Sequence, residues 1–415
     1  MSRAFDVDFD TPAGAAAALR STRAVRERAG YLTERTRAGD SPWFTVHDEA
    51  LAAAAGEVAD VTRNNYPQLQ IPFHSRWRHF EAGGLNRKAE LDRMLAERDG
   101  PARARAMVDL TVVSVLLDAG AGPTWTYREP STGLRLGRSE GLGVASFRAF
   151  TAGLFSADPD DPLRVDAAGL ARLSAQQLAE AFQADADNPL VGIDGRHTLL
   201  HRLGLALAGA PQTFGADGRP GGLVDALCPP GSEAVHAHDI LTALLTSLGG
   251  IWPSATMIGD QSVGDCWHHD AVPGTGLTAG WMPFHKLSQW LTYSLLEPFG
   301  WSGVTVTGLD ELTGLPEYRN GGLLLDTGVL RLRDPNSAHQ RFTAADELVV
   351  EWRALTVTLL DELAPLVRAA LGVDATRMPL ACVLEGGTWA AGRALAQRLR
   401  DGQPPLTVVS DGTVF

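Results

Sequence analysis

Apolar residues return at helical spacing in one stretch after another of this 415-residue chain, and that repetition leaves little sequence from which a sheet could be built. The pattern begins in "TPAGAAAALRSTRAVRERAGYLTERT", where Thr11 and Pro12 read as a cap and a first helical residue. It continues through "HDEALAAAAGEVADVTRNNY" and a strongly apolar segment at 102–117. Further helices are expected at 141–154, 174–183, 196–208, 233–249 and 284–297, with long patterns over 341–371 and 388–400. Only "TWTYRE", a short hairpin, and the terminal "PPLTVVSDGTVF", a strand or extended tail, read otherwise. The expectation is a mainly α protein with few short strands. Residues 1–100 would form an N-terminal helical layer and residues 101–415 one continuous core.

A hydrophobic content of 45% is enough for a sizeable core, and the net charge of −13 lacks the basic footprint of a nucleic-acid-binding surface. A small phosphorylated ligand stays compatible, because one pocket can be locally positive. Three scattered cysteines (Cys228, Cys266, Cys382) give no disulfide framework, no apolar run spans a bilayer, and the first residues do not read as a signal peptide. These features favour a cytoplasmic protein with no membrane partner; they leave the oligomeric state open. No G-x-G-x-x-G follows a strand and no P-loop occurs, so no cofactor is expected.

Within this frame a few stretches carry chemistry. In "MPFHKLSQWLTYSLLEPFG", Phe284, Leu287, Leu291 and Leu295 form one apolar stripe, while Lys286, Gln289 and Tyr293 share another face. That second face holds one lysine, an amide and a phenol. Either Lys286 snorkels over packed surface or it points into a pocket that needs one positive charge. In "GLPEYRNGG", Glu317, Tyr318 and Arg319 lie between a proline and two glycines, as either an acid–base loop or an exposed turn with a surface ion pair. "GDQSVGDCWHHD" crowds Asp260, Asp265, Cys266, His268, His269 and Asp270 together, as a metal site without standard spacing or as a polar loop. Trp352–Arg353 and Trp389 with Arg393 suit a planar polar ligand or plain helix packing, and Glu385 stands beside a Gly-Gly break. "IPFHSRWRHF" offers His74, Arg76, Arg78 and His79, as a phosphate clamp or as a pin for the N-terminal layer.

Taken together, "GDCWHHD", "MPFHKLSQWLTYSLLEP", "LTGLPEYRNGGLLLDTGVL", "VVEWRALTVTLLDEL" and "LEGGTWAAGR" resemble the fungal and bacterial family linked to uracil catabolism, over essentially the whole chain. That family is tied to a route in which uracil becomes UMP, its ring opens and a ribosylurea-type intermediate is consumed. More distantly, the chain is similar to the queuosine-nucleotide N-glycosylases. "FHKLSQ" matches their lysine helix at Lys286 and Gln289, "EYR" matches their Asp-Tyr-Arg turn, and "WHHD" resembles a motif ending in aspartate, here Asp270. The resemblance departs at His285 and Leu287, and a glutamate replaces the aspartate of the turn.

The second resemblance implies a DNA-glycosylase-like helical core, so that 101–415 would be a glycosylase-like catalytic body. It implies hydrolysis of an N-glycosidic bond without metal, with Glu317 as the catalytic carboxylate and Asp270 holding ribose hydroxyls or the ureido group. Lys286, with Gln289 and the adjacent His285, would bind the 5-phosphate of a small ribosyl substrate. Tyr318, His268 and Arg353 are candidate proton donors; Arg319 completes the turn; Trp125, Trp352 and Trp389 would line or close the pocket. The substrate expected is ribosylurea 5-phosphate, giving urea and ribose 5-phosphate. The alternatives are a metal-dependent amidohydrolase using the Asp265–Asp270 cluster, a phosphoribosyltransferase, or a non-catalytic nucleotide-binding regulator.

Overall fold

Side-chain caps start many of the helices. In the computed structural model, which describes residues 8–252 and 256–409, Thr11 Oγ1 accepts the Gly14 N–H (3.2 Å) ahead of the Pro12–Leu19 helix. Ser21 Oγ does the same for Ala24 (3.1 Å) ahead of Thr22–Arg37, and Ser174 and Gln177 close a capping box ahead of Ala175–Ala181. The fold is mainly α. Its described strands are three or four residues long and pair two at a time. The hairpin expected at "TWTYRE" is present, Thr126–Arg128 running antiparallel to Arg135–Gly137. The C-terminal segment supplies Thr407–Val409, parallel to Arg341–Thr343; the rest of that tail, from 410, lies outside the described residues. No described helix is long and apolar enough to cross a membrane.

The chain divides into two units, and the division differs from the expected split at residue 100. The first takes the described parts of Met1–His74, Ser254–Gln289 and Gly308–Phe415; the second takes Ser75–Pro253 and Trp290–Thr307. Residues 8–74 are therefore no separate layer. Val25, Ala29 and Leu32 of the Thr22–Arg37 helix join Met282, Phe284, Val350, Ala354 and Val357 in one dry cluster. Each large side chain buried there contributes roughly 1.5–3 kcal/mol, which ties the start of the chain to the Glu347–Leu371 helix more than 300 residues on. Phe44–Val46 adds an antiparallel pair with Leu330–Leu332.

The second unit is organised around helices Gly100–Leu116, Arg138–Thr151 and Ile193–Gly209. Most of its buried charges are paired, and buried Arg196 donates to backbone carbonyls instead. Glu129 takes Arg87 (2.6 Å) and Arg148 (2.6 Å), and Asp109 takes Arg219 (2.7 Å) with the Gly221 N–H (2.6 Å). Arg76 is fully buried on Ser114 (2.7 Å) and Asp118 (3.1 Å), and Arg78 pairs with Glu297 (2.8 Å). The arginines of "IPFHSRWRHF" are thus committed within this unit. So is Trp125, whose indole N–H donates to the Phe182 carbonyl (3.0 Å).

Candidate active site

Two helices that start in the first unit begin on a carboxylate. Glu317, in extended backbone conformation, caps Tyr318–Asp326: its two oxygens accept the N–H groups of Arg319 (2.7 Å) and Asn320 (2.6 Å). Asp265 does the equivalent for Lys286–Trp301, its Oδ2 accepting the Lys286 N–H (2.9 Å). A negative group at a helix N-terminus satisfies orphan donors and meets the positive end of the helix dipole. Glutamate is an uncommon cap. Here its longer side chain folds back so that both oxygens are engaged at once, which fixes the carboxylate in place.

Arg353, from the middle of the Glu347–Leu371 helix, fastens the two helix starts. Its terminal nitrogens make a bidentate pair with Asp265 (2.8 and 2.7 Å), and its Nε donates to the Pro316 carbonyl (3.3 Å) one residue before Glu317. The guanidinium also lies 4.0 Å from the Phe284 ring centroid. Gln289 makes a second tie. Its amide donates to the Phe284 carbonyl (2.9 Å), and its oxygen accepts from the backbone (2.8 Å) and hydroxyl (2.9 Å) of Thr313. Both residues were expected to touch substrate; both are buried and engaged with protein groups instead. Their role is to hold Glu317 and Lys286 in one neighbourhood.

His285 is a second correction. It sits at φ +51°, a left-handed conformation unusual outside glycine, with its ring buried and Nε2 donating to the Leu19 carbonyl (2.9 Å). Burial pushes its pKa down, which keeps the ring neutral. It makes the sharp turn into the lysine helix and does not reach a ligand. Asp270 is a third. Its side chain and that of His268 are exposed and 3.4 Å apart, too open to the solvent to hold a substrate group. The remainder of "GDCWHHD" disperses as well: Cys266 is buried with its thiol pKa pushed up by desolvation, and His269 is buried 3.3 Å from Glu351. The segment therefore forms no common shell for a metal, and no described group of three or more His, Cys, Asp or Glu does so.

Trp352 is buried too, its indole N–H on the Gly321 carbonyl (3.1 Å), where a Cβ on Gly321 would come within 2.7 Å of the ring. Arg319 donates to the Gly402 carbonyl (3.2 Å) and lies 4.7 Å from the ring of the exposed Tyr318. Trp389 is half-buried with Arg393 5.5 Å from its ring.

The residues not singled out as a group are Tyr66, His74 and Glu385. Leu384–Thr388 is a π-helical turn, a wide turn often found where a helix presents a functional side chain. Its two glycines let it seat against the Leu51–Asn65 helix; a Cβ on Gly387 would stand 2.5 Å from Thr62 Oγ1 and from the Val58 carbonyl. The turn presents Glu385 to the Tyr66 hydroxyl (3.1 Å) and to His74 Nδ1 (2.8 Å).

Electrostatics connect this trio with the capped glutamate. Glu317 as a residue is half-buried, but its carboxylate lies within dense protein, and desolvation raises its pKa above the usual glutamate value. The two backbone N–H groups, then the charges of Lys286 and His74, act in the opposite direction without cancelling that rise. Asp265 shows the reverse balance: against desolvation, the charge and hydrogen bonds of Arg353 hold its carboxyl below the usual range. One unit thus contains two buried carboxylates with opposite tendencies. Arg353 holds Asp265 as an anion, whereas burial favours the neutral form of Glu317.

Comparison with known proteins agrees with the resemblance to the uracil-catabolism family. Residues 18–415 match a family described as "Protein of unknown function (DUF1688)". The chain is 38% identical over 409 residues to "Protein urg3" of Schizosaccharomyces pombe, covering 96% of this chain and 98% of that one. It is 40% identical over 377 residues to "Uracil catabolism protein 4" of Lachancea kluyveri, covering 83% and 85%. With its motifs, length and matched span in agreement, the chain belongs to the DUF1688 family.

Proposed function

We propose that this protein acts in uracil catabolism as a hydrolase of an N-glycosidic bond, and that its substrate is ribosylurea 5-phosphate, split to urea and ribose 5-phosphate. One relative is named for uracil catabolism. The observation that carries the reading is Glu317: a desolvated carboxylate, fixed by two helix N–H groups, with a raised pKa and with Lys286 close enough to act on its charge.

Cleavage of a C–N glycosidic bond builds positive charge on the sugar, much as oxocarbenium character develops in glycoside hydrolysis. Beneath the anomeric carbon, an ionised Glu317 stabilises that charge and takes a proton from the attacking water. Its raised pKa makes it a stronger base than an exposed glutamate. Lys286 holds the 5-phosphate, a fixed dianionic handle whose binding energy orients the reacting end.

The amidohydrolase alternative loses its support, since the members of the Asp265–Asp270 segment occupy separate environments. The test is incubation of the purified protein with ribosylurea 5-phosphate and, separately, with UMP, followed by detection of urea, uracil, ammonia and ribose 5-phosphate. Urea and ribose 5-phosphate in equal amounts are expected. Ammonia in place of urea, or no turnover of either compound, would overturn the reading.

A further inference from the structure

Urea is a poor leaving group as an anion, so the departing nitrogen must receive a proton. The donors suggested by the sequence do not suit that task. His268 is exposed beside Asp270, and Arg353 is a guanidinium held on Asp265 and Pro316 that does not give up its proton. Tyr318 is an exposed phenol stacked near Arg319.

We propose that His74 is the catalytic acid that protonates the departing nitrogen, and that Glu385 is its positioning residue. The assignment rests on the N-glycosidase reading above. Three independent observations support it. First, Glu385 accepts from His74 Nδ1 at 2.8 Å and from the Tyr66 hydroxyl at 3.1 Å; a carboxylate so placed takes the Nδ1 proton and leaves Nε2 as the exchanging atom. Second, the loop that bears the imidazole is fixed. The His74 N–H donates to the Ala381 carbonyl (3.0 Å), and Cys382 Sγ donates to the Ile71 carbonyl (3.2 Å). Third, the positive charge of His74 acts on the Glu317 carboxylate, so acid and base share one neighbourhood. The imidazole and its carboxylate are each about four-fifths buried, at 18% and 16% exposed, which leaves the ring accessible to a small ligand.

The step balances. Water adds to the anomeric carbon as the C–N bond breaks, and the bonding pair stays with nitrogen, which takes the Nε2 proton of His74. Glu317 takes the proton released by the water. Solvent exchange then returns His74 to its protonated form and Glu317 to its ionised form, with one water consumed. Paired groups of this kind, one giving and one taking a proton, contribute about 10²–10⁴-fold each.

The experiment compares two substrates that differ only in the leaving group: ribosylurea 5-phosphate, which needs protonation, and ribofuranosyl fluoride 5-phosphate, whose small leaving anion does not. In His74→Gln and His74→Ala, urea release should fall about 10²–10⁴-fold while fluoride release stays within a few-fold of wild type. Glu385→Gln should show the same split in weaker form, and Glu317→Gln should lose both substrates. Retained fluoride release shows that the His74 and Glu385 variants are folded. Equal losses on both substrates in the His74 variants, or urea release at the wild-type rate, would overturn the role of His74. A wild-type protein that releases neither urea nor fluoride would overturn the hydrolase reading itself, and this assignment with it.

Discussion

Replacing Arg353 by methionine should unsettle the first unit more than any exposed substitution in it. The change removes two charge-assisted hydrogen bonds to Asp265 and one bond to the Pro316 carbonyl. Asp265 is left as a buried anion with only the Trp267 indole N–H (2.7 Å) and the Lys286 N–H (2.9 Å). Breaking a buried pair in this way costs about 3–5 kcal/mol, because the surviving charge stays desolvated. Adding Asp265→Asn removes that stranded charge, so the double variant should be more stable than the sum of the single effects by about 1–3 kcal/mol. Urea unfolding followed by tryptophan fluorescence reads this directly, and if two transitions separate, only one should move. The pH dependence has a definite sign. The folded-state pKa of Asp265 lies below its ordinary value of 3.8, so its stabilisation is intact above that value and is lost as pH falls through the lower folded-state pKa. In Arg353→Met that carboxyl rises, and the gap between variant and wild type should narrow as pH is lowered. Additive single and double effects, or an Arg353→Met cost under about 1 kcal/mol, would refute the reasoning.

Other predictions concern the site more directly. Glu317→Gln should lower kcat for urea release about 10²–10⁴-fold while changing stability by less than about 2 kcal/mol, since the amide keeps one cap acceptor and removes a buried charge; turnover within tenfold of wild type would contradict the role. The acid limb of kcat/KM should lie above pH 4.5, because the ionised form is the active one and its folded-state pKa is raised; a limb at or below that pH counts against Glu317. Lys286→Ala should raise KM for the 5-phosphorylated substrate by about 10–100-fold and leave the unphosphorylated compound unaffected, matching the loss of one charge-assisted contact. Unchanged discrimination between the two would remove the phosphate role. Gly387→Ala should destabilise the protein by about 1–3 kcal/mol, seen as a lower midpoint in thermal melts, because its Cβ has no room beside Thr62 and Val58.

Local information was legible in the sequence, and long-range information was not. Helical periodicity located the 388–400 segment to within a residue of Trp389–Arg400, whereas the first six positions expected in the 341–371 helix hold the strand Arg341–Thr343 and the approach to Glu347–Leu371. The "TWTYRE" hairpin was visible from its own residues. Motif similarity picked out Glu317 and Lys286, which the fold does place within electrostatic reach of each other. Gln289, from the motif, and Arg353, from the Trp-Arg pair, were expected at a ligand, and both are buried on protein groups instead. A side chain's type and spacing do not reveal that a backbone N–H 24 residues away, or a backbone carbonyl 37 residues away, will claim it. The likeness of "WHHD" to a motif ending in aspartate points to Asp270, whose side chain is exposed, whereas Asp265 of the same segment is the one buried on Arg353. His74 and Glu385 are separated by 311 positions in sequence. Nothing in "IPFHSRWRHF" or "LEGGTWAAGR" alone indicates that they meet.

The wide turn at Leu384–Thr388 has a consequence for how such chains diverge. A π-turn amounts to one extra residue inserted in an α-helix, so deleting a single position there would restore regular winding and swing everything on one side by about 100° relative to the other. The Glu385 carboxylate would leave His74 and Tyr66 even though neither partner had changed. A one-codon gap at this place would therefore silence the dyad while leaving every side chain of the trio in the gene, a lesion that a substitution scan would never reveal.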